Sequence, residues 1–286
     1  MKKILFPFEI GNPIYKEAYV YAVNLARNLY TEVILMNTFS IDADNDITED
    51  KYSRLIKEKW FKAYNEIGIF NAYYLKEHAK TEEDLRIIFD HRFIHGFLKD
   101  EIKKAAKEEN VGFIVLPLSD RKELNKRQLE IIRDNVFEKN RVSLIVIPFQ
   151  GVYRPVKNIV FLCDFKKLNH FKLYLDEVIH IASAFDSRIH FLNISGKGIS
   201  VTQENSEEYL LVKSAIAKNS RHVFKQIISK NFVESVNQYA EDIEADMLVA
   251  VKHQHYFLDS VFHRSQTDEL SFHSKVPVLV IREKET

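Results

Sequence analysis

The sequence has little of several residue types, and each shortage excludes a class of protein. A single cysteine, Cys163, excludes an intrachain disulfide and any cysteine-rich zinc or iron–sulfur site. The net charge is zero and the pI is near 7.2, so there is no electrostatic case for binding nucleic acid or an anionic membrane surface. No run of about 18 apolar residues occurs, so we expect no membrane span.

The N-terminal sequence MKKILFPFEI has two lysines, but its apolar run ends at Glu9 and is too short for the core of a signal peptide. Together with the single cysteine, which fits a reducing compartment, this predicts a cytoplasmic protein.

Glycine is also scarce, and none lies between Phe113 and Gln150 or after Gly198. Loops that bind phosphate use glycine because its missing side chain lets the backbone N–H groups approach the phosphate oxygens. The sequence therefore argues against a glycine-rich phosphate loop in either of these segments.

A repeat organises the chain. The segment Ala245–Ile281 has the layout of Val111–Pro148, with an apolar strand, a polar loop, a predicted helix and a second apolar strand. Phe113 and Met247 are 134 residues apart, as are Val142 and Val276, so the two segments align without gaps. The repeat predicts an internal duplication of one α/β unit.

Each half opens with a strand, a helix and a second strand. In the first half these are Lys3–Phe8, Ile14–Leu29 and Thr31–Asn37, with Asn12 as the predicted helix cap and Pro13 as the first helical residue. This βαβ order predicts parallel strands joined by a right-handed crossover. Asn37 and Asn193 occupy equivalent strand ends in the two halves.

The remaining elements follow the same pattern. In the first half we predict a loop at Ile41–Asp46, helices at Asp50–Ile67, Phe97–Asn110 and Gln128–Glu138, and strands at Ala72–Leu75, Leu85–Phe89, Phe113–Leu116 and Ser143–Pro148. In the second half we predict strands at Lys157–Cys163, Arg188–Ile194, Val223–Ile228, Met247–Val251 and Val276–Ile281, and helices at Phe171–Phe185, Ser206–Lys218 and Phe232–Glu244.

These elements predict two α/β domains, 1–150 and 151–286, with an insertion at about 41–85 in the first. Each is expected to be Rossmann-like, with an open five-stranded, mainly parallel sheet and helices on both faces. Four aromatic residues of the insertion, Trp60, Tyr64, Tyr73 and Tyr74, are expected in the core, with a partner surface as the alternative for any exposed part. Cys163 is expected to be a buried, inert thiol.

Both halves resemble the universal stress protein family over nearly their whole length, so the chain looks like a tandem form of it. The openings KKILFPFE and KNIVFLCDF are similar to the family's first strand, and HSKVPVLVIRE is similar to its last. The resemblance implies adenine nucleotide alpha hydrolase-like domains, many of which bind ATP at the carboxyl ends of the strands, and proteins that are generally not well-defined enzymes.

ATP-binding members of the family have a fingerprint of Gly, two residues, Gly, nine residues, Gly and then Ser or Thr. Counting back from Pro277 places these positions at Val251, Gln254, Arg264 and Ser265. In the first half the same positions are Pro117, Asp120, Glu130 and Ile131. The fingerprint is thus absent from the first half and reduced to its hydroxyl in the second.

Three functional hypotheses follow. The leading one is a non-catalytic regulatory or stress-response protein with degenerate nucleotide sites and no cofactor. The alternative is an ATP- or AMP-binding protein that uses the second domain only. Its candidate ligand-binding residues are Asp164, Arg264, Ser265 and Thr267. A third hypothesis is a metal site in the His253–His273 cluster, with His253, His255 and His263 as candidate ligands.

One carboxylate follows the first strand in each half, Glu9 in the first and Asp164 in the second. The resemblance implies an acidic residue near a nucleotide at this position. The competing interpretation is that each stabilises the start of the next helix. We predict no catalytic residue, because Ser265, His263 and Asp259 lack a nucleophile elbow.

We expect a protein partner of unknown identity, no nucleic acid and no membrane. The resemblance further implies that the two halves form an internal pseudo-dimer with Ser143–Pro148 and Pro277–Ile281 at or near the contact. It leaves open whether this pseudo-dimer assembles further into a homodimer.

Overall fold

The computed structural model describes residues 2–41, 48–79, 87–119, 142–149, 151–163, 168–196, 221–252, 270 and 273–282. The chain divides into two compact units, Met1–Val142 and Ser143–Thr286. This division falls before the strand that we predict to close the first domain at residue 150. That strand pairs within the second unit, while the predicted boundary itself stays a prediction.

The first unit has four parallel strands in the order β3-β2-β1-β4. Its elements are β1 (Lys3–Pro7), α1 (Tyr15–Leu29), β2 (Val33–Phe39), α2 (Glu49–Glu77), β3 (Phe89–His95), α3 (Leu98–Glu108) and β4 (Val111–Pro117). The central strands are buried along nearly their whole length, which is why they read as continuous apolar runs in the sequence.

The second unit has the strand order β5-β10-β9-β6-β7-β8. Its elements are β5 (Ser143–Ile147), β6 (Asn158–Leu162), α4 (Leu168–Phe185), β7 (Arg188–Ser195), β8 (Arg221–Ile228), α5 (Phe232–Asp242), β9 (Met247–Lys252) and β10 (Val278–Arg282). The pairs from β10 to β8 are parallel, whereas β5 pairs with β10 in the antiparallel direction. The predicted α/β fold with a mainly parallel sheet is confirmed.

Two strand predictions in and beside the insertion are wrong. Ala72–Leu75 is not a strand, because α2 continues without interruption to Glu77. Tyr74 lies on the same buried face as Ile67 and Phe70, so the segment keeps helical periodicity against α1. The predicted strand at Leu85–Phe89 is also wrong in its described part, since β3 begins only at Phe89.

The insertion aromatics divide into two groups. Tyr74 is fully buried, as predicted, whereas Trp60 and Tyr64 are 46% and 53% exposed and are not part of the core. Phe70 supplies the aromatic contact instead, packing against Phe6 and Tyr19 with ring centroids 6.2 and 5.4 Å apart. The buried residues of α2, which include Ala63, Phe70 and Tyr74, thus lie in its C-terminal part, while its N-terminal part is open to solvent.

Strand β3 forms one edge of the first unit's sheet. The Val33 N–H donates to Ile88 O and the Gly96 N–H donates to Phe39 O, so the odd-numbered residues of β3 turn their backbone groups away from β2. Two of these outward groups are capped: the Trp60 indole donates to Phe93 O at 3.2 Å, and the His91 N–H donates to the Asp90 carboxylate at 2.8 Å.

Other predictions fall outside the described residues, namely the helices at Gln128–Glu138 and Ser206–Lys218 and nearly all of the loop at Ile41–Asp46. Cys163 is fully buried, as predicted. Among the described helices, none combines the length and the hydropathy that crossing a membrane would require.

Candidate functional site

A cavity of about 370 Å³ opens at the carboxyl ends of β1, β2 and β3 in the first unit. It is lined by Glu9, Ile10, Asn37, Thr38, Phe39, Ser40, Lys59, Gly96, Phe97, Leu98 and Lys99. Its volume lies in the lower part of the range of small-molecule sites, and the carboxyl ends of parallel strands are where ligands bind in open α/β sheets.

The wall that follows β1 is held in place by α2. Gly11 has a φ of 74°, a backbone conformation that favours glycine, and its N–H donates to the Glu66 carboxylate at 3.0 Å. Glu66 is only 6% exposed although it is charged. The insertion therefore fixes the turn that carries Glu9 and Ile10 into the cavity.

Glu9 does not cap α1. Its Oε2 accepts a hydrogen bond from the Asn12 side-chain amide at 3.1 Å. Asn12 is not the helix cap either, because α1 begins at Tyr15 with Ile14 as its N-cap and no side-chain hydrogen bond there. Asn12 instead accepts from the Ile14 N–H within the turn. The prediction that Glu9 stabilises the start of α1 is therefore corrected: through Asn12, Glu9 stabilises the turn before the helix.

Two equivalent asparagines join neighbouring strands at their carboxyl ends. The Asn37 amide donates to Phe8 O at 2.9 Å, and the Asn193 amide donates to Cys163 O at 3.2 Å in the second unit. Because a backbone carbonyl can only accept, Nδ2 is the donor in both residues, and Oδ1 is the side-chain atom that takes no part in this hydrogen bond. In Asn37, Oδ1 is buried and has no partner among the described residues.

The wall on the other side is the start of α3. Phe97 is its N-cap, provides no side-chain cap and is 78% exposed. Leu98 and Lys99 line the cavity, so first-turn N–H groups, which no helix satisfies internally, lie at this wall. Gly96 precedes them, and a Cβ there would lie 3.1 Å from the Glu101 carboxylate.

The tyrosines between α1 and α2 are hydrogen-bond donors rather than reactive groups. Burial raises the pKa of Tyr19, whose hydroxyl donates to Asn71. Burial, and then the hydrogen bond to Glu17, raise the pKa of Tyr73 to about 12. Both phenols stay protonated near neutral pH, so they act as donors that link α1 to α2.

The cavity does not extend to β4. The strand order reverses between β1 and β4, which is where the phosphates of a nucleotide are expected in this architecture. No described residue of β4 or of the segment after it lines the cavity. At that position β4 ends in Pro117, which lacks an N–H, and Leu118 is 4% exposed.

The first fingerprint position of the second unit is also closed. Val251 continues β9 in register with Ile281 and is 1% exposed, so its side chain lies in the core rather than in a phosphate loop. The remaining candidate residues lie outside the described residues, namely Asp164, Gln254, Arg264, Ser265 and Thr267 in the second unit and Asp120, Glu130 and Ile131 in the first. Their roles stay predictions.

The metal hypothesis has no support in the part of the chain that the structure describes, where no three histidine, cysteine or acidic side chains are grouped to hold an ion. His273 is described and is exposed. His253, His255 and His263 lie outside the described residues, so their ability to bind a metal remains untested.

Comparison with known proteins identifies the second half. The model of the Universal stress protein family matches residues 157–282. No curated protein matches the chain.

Solved structures match the complete chain. A universal stress protein from Archaeoglobus fulgidus superposes with a TM-score of 0.70 at 14% identity, over 98% of this chain and 98% of that one. A putative universal stress protein from Pseudomonas aeruginosa has a TM-score of 0.56 at 13% identity, over 99% of this chain and 93% of that one. The cytoplasmic domain of a prokaryotic cation chloride cotransporter has a TM-score of 0.56 at 12% identity, over 100% and 97%.

At these identities the structural matches show the fold, whereas the family match rests on the sequence itself. Residues 157–282 are therefore a universal stress protein domain, and the complete chain has the two-domain fold of universal stress proteins.

Proposed function

We propose that the chain is a non-catalytic regulatory protein of the universal stress type, and that its first unit does not bind the triphosphate of ATP. The observation that carries this proposal is the end of β4. A phosphate site here needs backbone N–H donors and open space, whereas Pro117 supplies no donor and the Leu118 side chain is buried.

The alternative, nucleotide binding by the second unit, rests on Asp164, Arg264, Ser265 and Thr267. A guanidinium and a hydroxyl can replace some of the lost backbone donors for a phosphate. The buried Val251 argues against a loop of the usual kind at the first fingerprint position. We therefore expect any nucleotide binding to be weaker than a glycine-rich loop would give, and we expect the output of the protein to be a contact with a protein partner in the cytoplasm.

Thermal unfolding with Mg·ATP tests the proposal, because a ligand raises the apparent stability of the state that binds it. Trp60 is the single tryptophan and lies in the first unit, so its fluorescence follows that unit. We expect millimolar ATP to leave the fluorescence-detected transition unchanged. A shift that persists in Ser265→Ala would overturn the proposal, whereas a shift seen only by circular dichroism and lost in Ser265→Ala would establish the alternative.

A further inference from the structure

We propose that α2 pairs in the antiparallel direction with α2 of a second copy of this chain, through its solvent-facing side. This outer face of α2 consists of Phe61, Asn65, Gly68 and Ala72, all of which are exposed. Their spacings of four, three and four residues place them in one line along the helix. The helix belongs to the insertion, which has no counterpart in the repeat, so the surface is particular to the first unit.

Phe61 lies on the side of α2 that a surface helix normally gives to polar residues. The buried residues Ala63, Ile67 and Phe70 define the inward side. Because each residue turns the helix by about 100°, Phe61 lies on roughly the opposite side. Its side chain is 67% exposed.

Neighbouring side chains extend the apolar surface around Phe61. Trp60, Tyr64 and Ile69 are 46%, 53% and 48% exposed. Trp60 and Tyr64 also contact Phe93 of β3, through a hydrogen bond of 3.2 Å and a ring contact of 4.8 Å. A continuous exposed apolar surface of this kind is typical of a site that contacts another protein.

The middle of the outer face is shallow, because Gly68 and Ala72 are small. Nothing lies within 4 Å of a Cβ added at Gly68, so the packing of the described residues does not require glycine there. Glycine destabilises a helix interior relative to alanine. A second helix crossing at this level would use the gap, since small side chains let two helices approach closely.

The large and small parts of the outer face fit each other in an antiparallel pair. When Phe61 of one copy lies opposite Ala72 of the other, its ring fills the hollow above Gly68 and Ala72. A twofold axis then passes at the level of Glu66 and Ile67, so the same contact forms twice. The outer face is therefore complementary to itself.

The charges beside the outer face are complementary in the same register. Glu58 of one copy then lies within one residue of the level of Lys76 in the other, which is about 1.5 Å along the helix axis. Both side chains are exposed, and the 18 residues between their positions are five full turns, so they share one flank of the face. A twofold axis brings equal flanks together, so two Glu58–Lys76 ion pairs form.

These two residues cannot meet within one copy, because about 27 Å of helix separates them. Lys76 is 81% exposed, and its described ion pair is with the adjacent Glu77 at 3.0 Å. Adjacent residues do not face each other on a helix, so this pair is weak. Energetic coupling between Glu58 and Lys76 would therefore report a contact between two copies.

A single pair of helices is a small interface, so the dimer should be weak. The stretch from Glu58 to Lys76 is about 28 Å long, and its contact falls below the roughly 1,200 Å² of a standard stable complex. We expect a Kd of roughly 0.1 mM. At low micromolar concentration the chain is then monomeric, so the ATP experiment is independent of this proposal.

Analytical ultracentrifugation of the full chain between about 5 µM and 0.5 mM tests the proposal. We expect the average mass to rise from 33.6 kDa toward twice that value. Phe61→Gln should weaken association by roughly tenfold or more. Phe97→Gln is the matched control, because Phe97 is 78% exposed at the start of α3, and it should change the Kd by less than about twofold. Circular dichroism confirms that both variants fold.

A charge swap tests the register. Glu58→Lys and Lys76→Glu should each weaken the dimer by roughly tenfold, since each places like charges at two symmetric contacts. The double variant restores opposite charges, so its Kd should return to within about threefold of the wild type.

Three results would overturn the proposal. A chain that stays monomeric at about 0.5 mM leaves the outer face to a different protein. A dimer that Phe61→Gln and Phe97→Gln weaken equally forms through another surface. A double charge variant as weak as the single variants excludes the antiparallel register.

Discussion

Removing the Glu66 side chain should destabilise the first unit more than any change at an exposed residue of α2. In Glu66→Ala, the Gly11 N–H loses its acceptor at 3.0 Å, and the turn loses its link to a side chain of α2 that is only 6% exposed. A hydrogen bond to a charged group contributes about 1.5–3 kcal/mol, and the lost methylene adds about 0.8 kcal/mol. We therefore expect the free energy of unfolding of this unit to fall by about 2–4 kcal/mol.

Glu66→Gln separates the hydrogen bond from the charge. Glutamine keeps the size of the side chain and an acceptor oxygen, so the bond becomes a neutral one and the loss should be about 1 kcal/mol. Glu58→Ala is the control for helix composition, since Glu58 is exposed on α2 and should change stability by less than about 0.5 kcal/mol.

Urea unfolding followed by Trp60 fluorescence is the assay, because Trp60 is the single tryptophan and lies on the same helix. Reporting on one unit matters because a two-unit chain does not unfold as one two-state system. A loss in Glu66→Ala no larger than that in Glu58→Ala would refute the assigned role of the buried carboxylate. So would a Glu66→Gln variant as unstable as Glu66→Ala.

Two further predictions concern glycine packing and pH. Gly112→Ala should cost about 1–3 kcal/mol in the same urea assay, because the added Cβ would lie 2.5 Å from Lys2 Cβ. Gly68→Ala, where nothing lies within 4 Å, should instead stabilise α2 by up to about 1 kcal/mol, and equal effects would contradict the packing argument. Burial, and then Arg188, lower the pKa of His190 from 6.5, so the folded state holds the neutral ring against Tyr239. The unfolded chain then binds the extra proton, and stability falls as the pH drops through 6.5. Stability, measured by unfolding followed with circular dichroism, should fall less between pH 7.5 and pH 5.5 in His190→Gln than in the wild type. An equal fall in stability would exclude His190 as the cause.

The duplicated sheet was predictable because its signals are local and repeated. Apolar runs such as Lys3–Phe8 became buried strands, and the period of Ile14–Leu29 became α1 with its buried face. The predicted equivalence of Asn37 and Asn193 also holds, because each side-chain amide donates the same hydrogen bond, to the carbonyl of the residue that follows the first strand of its half.

The insertion was less predictable because it has no counterpart in the repeat. Tyr73 and Tyr74 suggested a strand by composition, but their contacts with α1 keep them helical, and such contacts are set by tertiary packing. For the same reason the sequence did not indicate Glu66 or Lys59 as site residues. The only available signal was a charged residue, Glu66, between the apolar positions Ala63 and Ile67 on the helix face that packs inward.

The sequence does not indicate the cavity, because the glycine fingerprint concerns the end of β4 and no residue there lines the cavity among those described. Its lining comes from three strand ends and two helices that are distant in the sequence. No short motif marks such a site, whereas the absence of a glycine fingerprint is visible at once.

The capped edge of β3 has a consequence for how this protein meets others. An incoming strand would need the outward backbone groups of β3, but the Phe93 carbonyl and the His91 N–H are already engaged by Trp60 and Asp90. Strand addition would have to break both bonds before gaining any of its own, which disfavours aggregation and domain swapping at this edge. A partner of the first unit therefore has to recognise side chains rather than backbone, and the exposed aromatic rings of Trp60 and Tyr64 are the ones it would meet beside that edge.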